Sequence, residues 1–373
     1  MARTESLRPI PWPEAFGRRD HPAQQSQAAL LLLLGAQLRG DHYAVRARAS
    51  ALKRQRFVET VPARDAADFG IPRLRLTRPV RLETIAARLD RRYPDRVSEP
   101  GFPDLASRLR NKPTLDSALE LLHACLDHPD DLPRVAAAAS YFGFSHEPAR
   151  VLDVLVHGTA SEDRLTRDVA AIALARSAPE HPRLRELTSS RETGAGGRPA
   201  NTSLLIHGTF ARNDRWWQPG GDFHGYIRTH VDADLYGAPD RFEWSGGYSD
   251  AARSLAAGDL QTWVANHNLG RPDLFTHSHG GSVAMLATQR GLTMGKLVLL
   301  SCPVHVHQYL PDFTRVRKVV SIRVRLDLVI LADGGGQRFR HPRIDEHVLP
   351  VWFDHSATHD PNVWQQYNVP AML

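Results

Sequence analysis

The stretch Asp273-Leu274-Phe275-Thr276-His277-Ser278-His279-Gly280-Gly281-Ser282-Val283-Ala284 decides how this chain is read. A short apolar run ends in a sharp turn with a serine at its tip, two glycines follow, and an apolar helix begins. The glycines let the helix start close to the strand, because a side chain at Gly280 would meet the backbone beneath the turn. Such a turn lifts the Ser278 hydroxyl into the crevice at the carboxyl edge of a sheet, where open α/β sheets bind ligands. It also aims the first N–H groups of the helix at any oxyanion forming beside the serine. A bland Ser-Gly turn is the alternative, and the strand before and helix after favour the functional one.

Short β-branched and apolar runs surround this turn at 203–206, 274–276, 297–300, 319–326 and 348–353, separated by helical stretches. Buried strands alternating with helices predict a mostly parallel sheet with helices on both faces. Upstream, residues 189–200 combine glycine, proline and small polar residues with no apolar anchor, which predicts a linker. Domains are therefore expected at 23–188 and 201–373, behind a Pro- and Arg-rich disordered tail at 1–22. The first domain is expected to be all-helical, with helices over 28–39 and 43–58 broken at Gly40-Asp41. The alternating apolar and basic stretch 73–82 fits a short strand or an extended arm. Asp130-Asp131-Leu132-Pro133-Arg134-Val135 before an Ala-rich run returns as Asp163-Arg164-Leu165-Thr166-Arg167-Asp168-Val169, an offset of 34 residues between the valines. This resembles HEAT-type helical repeats, and an ordinary helical bundle is the alternative.

His277-Ser278-His279-Gly280-Gly281 resembles the α/β-hydrolase superfamily, particularly bacterial serine esterases and lipases. It departs from their G-x-S-x-G pattern at the first position, where this chain has Thr276. The resemblance implies an α/β-hydrolase fold preceded by the helical-repeat-like domain. Leu204-Leu205-Ile206 running into His207-Gly208-Thr209-Phe210 is similar to the family's oxyanion strand, which implies backbone N–H donors at Thr209 and His279. His207 itself is expected to hold the loop rather than carry protons. Asp327 in Asp327-Leu328-Val329 resembles the family's acid, with Asp333 a competitor whose other reading is a turn before three glycines. His355, just beyond the last strand, is the implied base, and His359 is the alternative; the pair could also cap the helix near Pro361. Trp216 and Trp217 are candidate walls of an acyl pocket, or else a packed loop. Trp244-Ser245-Gly246 resembles a segment that closes the preceding strand in lipases, its tryptophan expected in the core.

The implied activity is cleavage of a carboxylic ester, from a small molecule or a lipid, through a Ser278-Asp327-His355 triad and an acyl-enzyme. The same triad would serve an acyltransferase or thioesterase, and a vestigial hydrolase fold on a scaffold protein, with the helical domain binding a protein partner, is the contrasting expectation.

The bulk numbers bound these readings. A chain of 373 residues with 42% hydrophobic and 24% charged residues suits two folded domains. The net charge of +6 gathers in arginines before residue 115 without aromatic interleaving, so a solvated basic face is expected and nucleic acid is not. Two cysteines exclude a disulfide framework. The 19 histidines form no helical His-x-x-x-His with a carboxylate, and no Gly-rich phosphate loop is present, so neither metal nor cofactor is expected. No export signal and no apolar run of membrane-spanning length appear, which points to the cytoplasm.

Overall fold

The computed structural model describes residues 23–47, 101–111, 114–145, 147–188, 203–237 and 241–373. The tail at 1–22, the stretch 73–82 and the linker at 189–200 lie outside them. The described residues divide into a unit of 23–47, 101–178 and 331–334 and a unit of 179–330 and 335–373.

The first unit is helical: α1 (Ala23–Ala47), α2 (Phe102–Asn111), α3 (Leu115–Ala124), α4 (Asp131–Tyr141), α5 (Pro148–Gly158) and α6 (Arg164–Ser177). The expected break at Gly40-Asp41 is absent, and α1 runs through it. One glycine costs a helix only about 1 kcal/mol. The preceding run Ala28–Leu34 is at most 5% exposed, which supplies far more than that. Residues 48–58 of the expected second helix lie outside the described ones. Helix α1 packs on α4, where Ser140 Oγ donates to Leu31 O at 2.9 Å. The 34-residue offset corresponds to the starts of α4 and α6, with Val135 and Val169 both buried. Asp163 caps α6 by accepting from Thr166 N at 2.8 Å. Gly158 ends α5 so tightly that an added Cβ would stand 2.5 Å from Val135 Cγ2 and 2.8 Å from Ala170 Cβ.

The second unit holds five parallel strands in the order β1 (Ser203–Ile206), β2 (Asp273–His277), β3 (Met294–Leu300), β4 (Val316–Arg323) and β5 (Asp345–Val348). Its helices are α7 (Pro182–Thr188), α8 (Asp222–His230), α9 (Asp250–Asn266), α10 (His279–Gln289), α11 (Leu328–Asp333, which ends in the first unit) and α12 (Pro361–Gln366). Strand β1 is buried along its whole length and β2, β3 and β4 over most of theirs, as parallel strands covered on both faces must be.

Leu235 forms a parallel bridge with Ser203 on the side of β1 away from β2. The chain thus leaves β1 through α8, touches its outer edge, and returns through α9 to β2. Right-handed connections running in these opposite directions put α8 on one face and α9 with α10 on the other. Helix α9 packs on α10, and α8 on α12, in keeping with this. The reversal makes the carboxyl ends of β1 and β2 a topological switch point.

The last strand differs from expectation, since the regular ladder of β5 covers Asp345–Val348 and not 348–353. The register slips there, since Arg325 N bonds two residues further along than the regular pairing of Arg323 with Val348 requires, while Pro350 between the two bonded residues faces the open edge, where no donor is needed. The chain nevertheless stays beside the continuation of β4. Leu349 N donates to Arg323 O at 2.7 Å, Arg325 N to Val351 O at 2.8 Å, and Phe353 N to Leu326 O at 2.9 Å. No helix among the described residues is long and apolar enough to cross a membrane.

Candidate active site

Ser278 separates β2 from α10 with φ 52° and ψ −132°, a conformation that costs a non-glycine residue about 1–3 kcal/mol. Its N–H donates to Leu300 O of β3 at 2.9 Å, and its carbonyl accepts from Gly281 N at 3.0 Å. The neighbours explain both glycines that follow it. A Cβ on Gly280 would lie 2.5 Å from His207 O and 2.7 Å from Ile206 O, and one on Gly281 would lie 2.6 Å from Cys302 Sγ. Thr276, the departure from the family pattern, is fully buried and donates its hydroxyl to Val298 O at 2.9 Å, so the larger residue is accommodated with its polar group paired. Positive φ recurs at this edge: Phe210, Ser301 and Phe353 adopt it just past β1, β3 and β5. Strained backbone concentrated where strands end is a mark of functional edges.

Asp327 and His355 come together. The loop after β4 and the turn after β5 are joined by a parallel bridge between Asp327 and Phe353, and His355 Nδ1 lies 2.7 Å from Asp327 Oδ2. Asp327 is 1% exposed and His355 5%. With a carboxylate as acceptor, Nδ1 carries the proton and donates, which leaves Nε2 as the basic nitrogen. The other carboxylate oxygen, Oδ1, accepts from Val329 N at 3.0 Å and Ile330 N at 3.1 Å, the first N–H groups of α11. Gln337 clamps the same residue from outside: Oε1 accepts from Asp327 N at 3.0 Å and Nε2 donates to Asp327 O at 3.1 Å. Arg323 holds Gln337 in turn, its Nη1 donating to Gln337 O at 2.7 Å.

The loop after β1 approaches the serine from the other side. A Cβ on Gly208 would lie 2.8 Å from Ser278 Cβ. Beyond it, Phe210 N donates to Gly246 O at 3.0 Å and Ala211 N to Gly208 O at 3.4 Å, which fixes the loop. Among the described residues the N–H of Thr209 between them meets no acceptor. The N–H of His279, first residue of α10, precedes that helix's own hydrogen-bond ladder. His207 is fully buried between the rings of Trp217 at 4.7 Å and Trp244 at 5.6 Å, with Nδ1 donating to Gly208 O at 2.8 Å. Burial pushes its pKa down to about 4, so it is a neutral spacer beneath the loop.

His359 lies in an aromatic cluster, its ring stacked on Trp216 at 4.2 Å and edge-on to His277 at 4.6 Å. His277 also touches the His355 ring at 4.6 Å, and its Nε2 lies 3.2 Å from His355 O. Trp216 therefore borders the histidines that flank Ser278. Trp217 is fully buried, its Nε1 donating to Ala211 O at 2.9 Å, and belongs to the core under the loop. Asp333 is buried at the end of α11 and is absent from the pairing between Asp327 and His355.

Sequence reasoning missed Gln337 and Arg323, and also a polar group at the start of α9. There Arg253 is sandwiched between the rings of Tyr248 and Tyr309, each 5.3 Å away, and donates to Tyr309 Oη at 2.9 Å and Asp250 Oδ1 at 2.6 Å. Burial, then the Asp250 carboxylate, push the Tyr309 phenol up to about 12. Tyr248 in turn meets the His279 ring edge-on at 5.6 Å. A cation inside the apolar run Val319-Val320-Ser321-Ile322-Arg323-Val324 is the signal that marks Arg323. Gln337 follows three glycines and carries no such signal. Comparison with protein-family models, with curated proteins and with solved structures yields no match, so the arrangement is interpreted from its own geometry.

Proposed function

We propose that the sheet unit has an α/β-hydrolase fold and is a serine hydrolase that cleaves carboxylic esters. The observation that carries this reading is the 2.7 Å hydrogen bond between two buried side chains, His355 Nδ1 and Asp327 Oδ2, in the unit that presents Ser278 at positive φ on its switch-point edge. His355 Nε2 takes the proton of Ser278 Oγ as that oxygen bonds to the ester carbonyl carbon, and Asp327 stabilises the imidazolium. The carbonyl oxygen becomes an oxyanion facing the N–H groups of Thr209 and His279. The tetrahedral intermediate collapses as the alkoxide leaves with the histidine's proton, giving an acyl-serine. Water, deprotonated by the same nitrogen, attacks that acyl group and releases the acid and free Ser278. The helical unit, whose α4 and α6 begin on similar segments, fits the start of a HEAT-type array in the same proposal.

The test is hydrolysis of short- and long-chain aryl esters by wild type beside Ser278→Ala. Wild type should show a burst of the aryl alcohol followed by steady turnover, and the variant neither. Equal rates in both proteins would reject the reading.

A further inference from the structure

The N–H of Thr209 is not the only group of that residue left open. Its hydroxyl Oγ1 is buried and also lacks a hydrogen-bond partner among the described residues. The residues on both sides are locked: Gly208 abuts Ser278 Cβ closely enough that no side chain fits there, and the N–H groups of Phe210 and Ala211 are both bonded. Phe210 is further held at φ 59°, where the left-handed backbone re-aims the chain immediately after Thr209. A fixed loop thus presents two unsatisfied donors from one residue beside the serine. Leaving a buried donor unpaired costs roughly 1–3 kcal/mol, so a position that keeps two of them open is organised for an acceptor that arrives later. His207 Nε2 is also without a partner, but the ring donates through Nδ1 and is walled in by tryptophans, so it offers no donor to a ligand.

We infer that the Thr209 side chain is itself a catalytic group, its Oγ1–H donating to the same developing oxyanion as its backbone N–H. The inference rests on the serine hydrolase reading and adds a third donor to it. The hydroxyl gains nothing from the planar ester and acts when charge accumulates on the carbonyl oxygen, so its contribution falls on kcat.

The experiment compares Thr209→Val, Thr209→Ala and Thr209→Ser on one aryl ester, with circular dichroism and fluorophosphonate labelling of Ser278 as companions. Valine keeps the shape and removes the hydroxyl; alanine removes it without bulk, should valine fail to fold. Both should lose kcat by on the order of 10²-fold with KM within threefold of wild type, and serine should recover most of the loss. A trifluoromethyl ketone, which forms an oxyanion adduct, should bind the valine or alanine variant weaker by a similar factor, whereas the free acid product should bind as before. If wild type is labelled and turns over but the hydroxyl-free variants match it, or if Thr209→Ser falls as far as Thr209→Ala, the side chain has no such role and the serine reading stands. If wild type is neither labelled nor active, both fall together.

Discussion

Three glycines of the sheet unit give a graded test of how closely β1, its loop and the serine turn are packed. At Gly280 an added Cβ would stand 2.5 Å from His207 O and 2.7 Å from Ile206 O, against backbone that has no rotamer to yield. Ordinary carbon contacts begin near ~3.5 Å, so Gly280→Ala requires α10 and β1 to part by about 1 Å. Overpacking of this kind costs about 1–3 kcal/mol, and at about 2–4 °C per kcal/mol for a domain of this size the melting temperature should fall by roughly 2–12 °C. The same displacement separates Ser278 from Thr209, and a misplacement of about 1 Å costs on the order of 10²-fold in turnover. At Gly208 the added Cβ would meet Ser278 Cβ at 2.8 Å. Gly208→Ala should therefore match or exceed the loss of kcat with a smaller loss of stability. At Gly225, inside α8, a Cβ would meet nothing within 4 Å. Gly225→Ala should leave kcat unchanged and raise stability by about 0.5–1 kcal/mol, because alanine loses less conformational entropy in a helix. The assays are differential scanning calorimetry and steady-state hydrolysis of an aryl ester. Wild-type kcat and melting temperature in Gly280→Ala would refute the packing argument.

Other perturbations bear on separate parts of the site. His355→Ala should reduce kcat by several orders of magnitude, whereas His359→Ala, losing a ring stacked on Trp216, should lower stability and keep most activity; the reverse pattern in a turnover assay would transfer the base to His359. Gln337→Leu removes both hydrogen bonds to the Asp327 backbone and should lower kcat by roughly 10-fold with KM unchanged, a split readable from initial rates. Stability should also depend on pH through His207. The folded protein keeps that ring neutral down to about pH 4, whereas the unfolded chain protonates it near ~6.5. Between those values the unfolded state binds more protons, so stability falls as pH drops through the window, by about 3 kcal/mol in full, and is flat above it. Urea denaturation at several pH values should show this slope, and His207→Phe should reduce it, leaving the smaller part that the lowered His224 and His341 contribute with the same sign.

Parts of this architecture are legible in the sequence. The turn at Ser278 announces itself because glycine is needed at fixed offsets from a strand end, and packing of Gly280 against two carbonyl oxygens shows why. The resemblance to the hydrolase family points to Asp327 and His355 after successive apolar runs, and the two are hydrogen-bonded to one another. The misreadings have physical sources. Gly40-Asp41 reads as a local breaker, but the helix is decided by the buried leucines before it. The apolar run 348–353 predicts the last strand, while the regular ladder lies on the more polar Asp345–Val348, because the register to β4 slips after Leu349. Gln337 and Arg253 act through hydrogen bonds to residues distant in sequence, a relation that periodicity does not encode.

The central claim is that Ser278 is a nucleophile activated by His355, and covalent labelling tests it most directly. Intact-protein mass spectrometry after incubation with a fluorophosphonate should show one adduct on wild type, mapped to Ser278, and none on Ser278→Ala. His355→Ala should label far more slowly. An unlabelled wild type, or an adduct that persists in Ser278→Ala, would contradict the account.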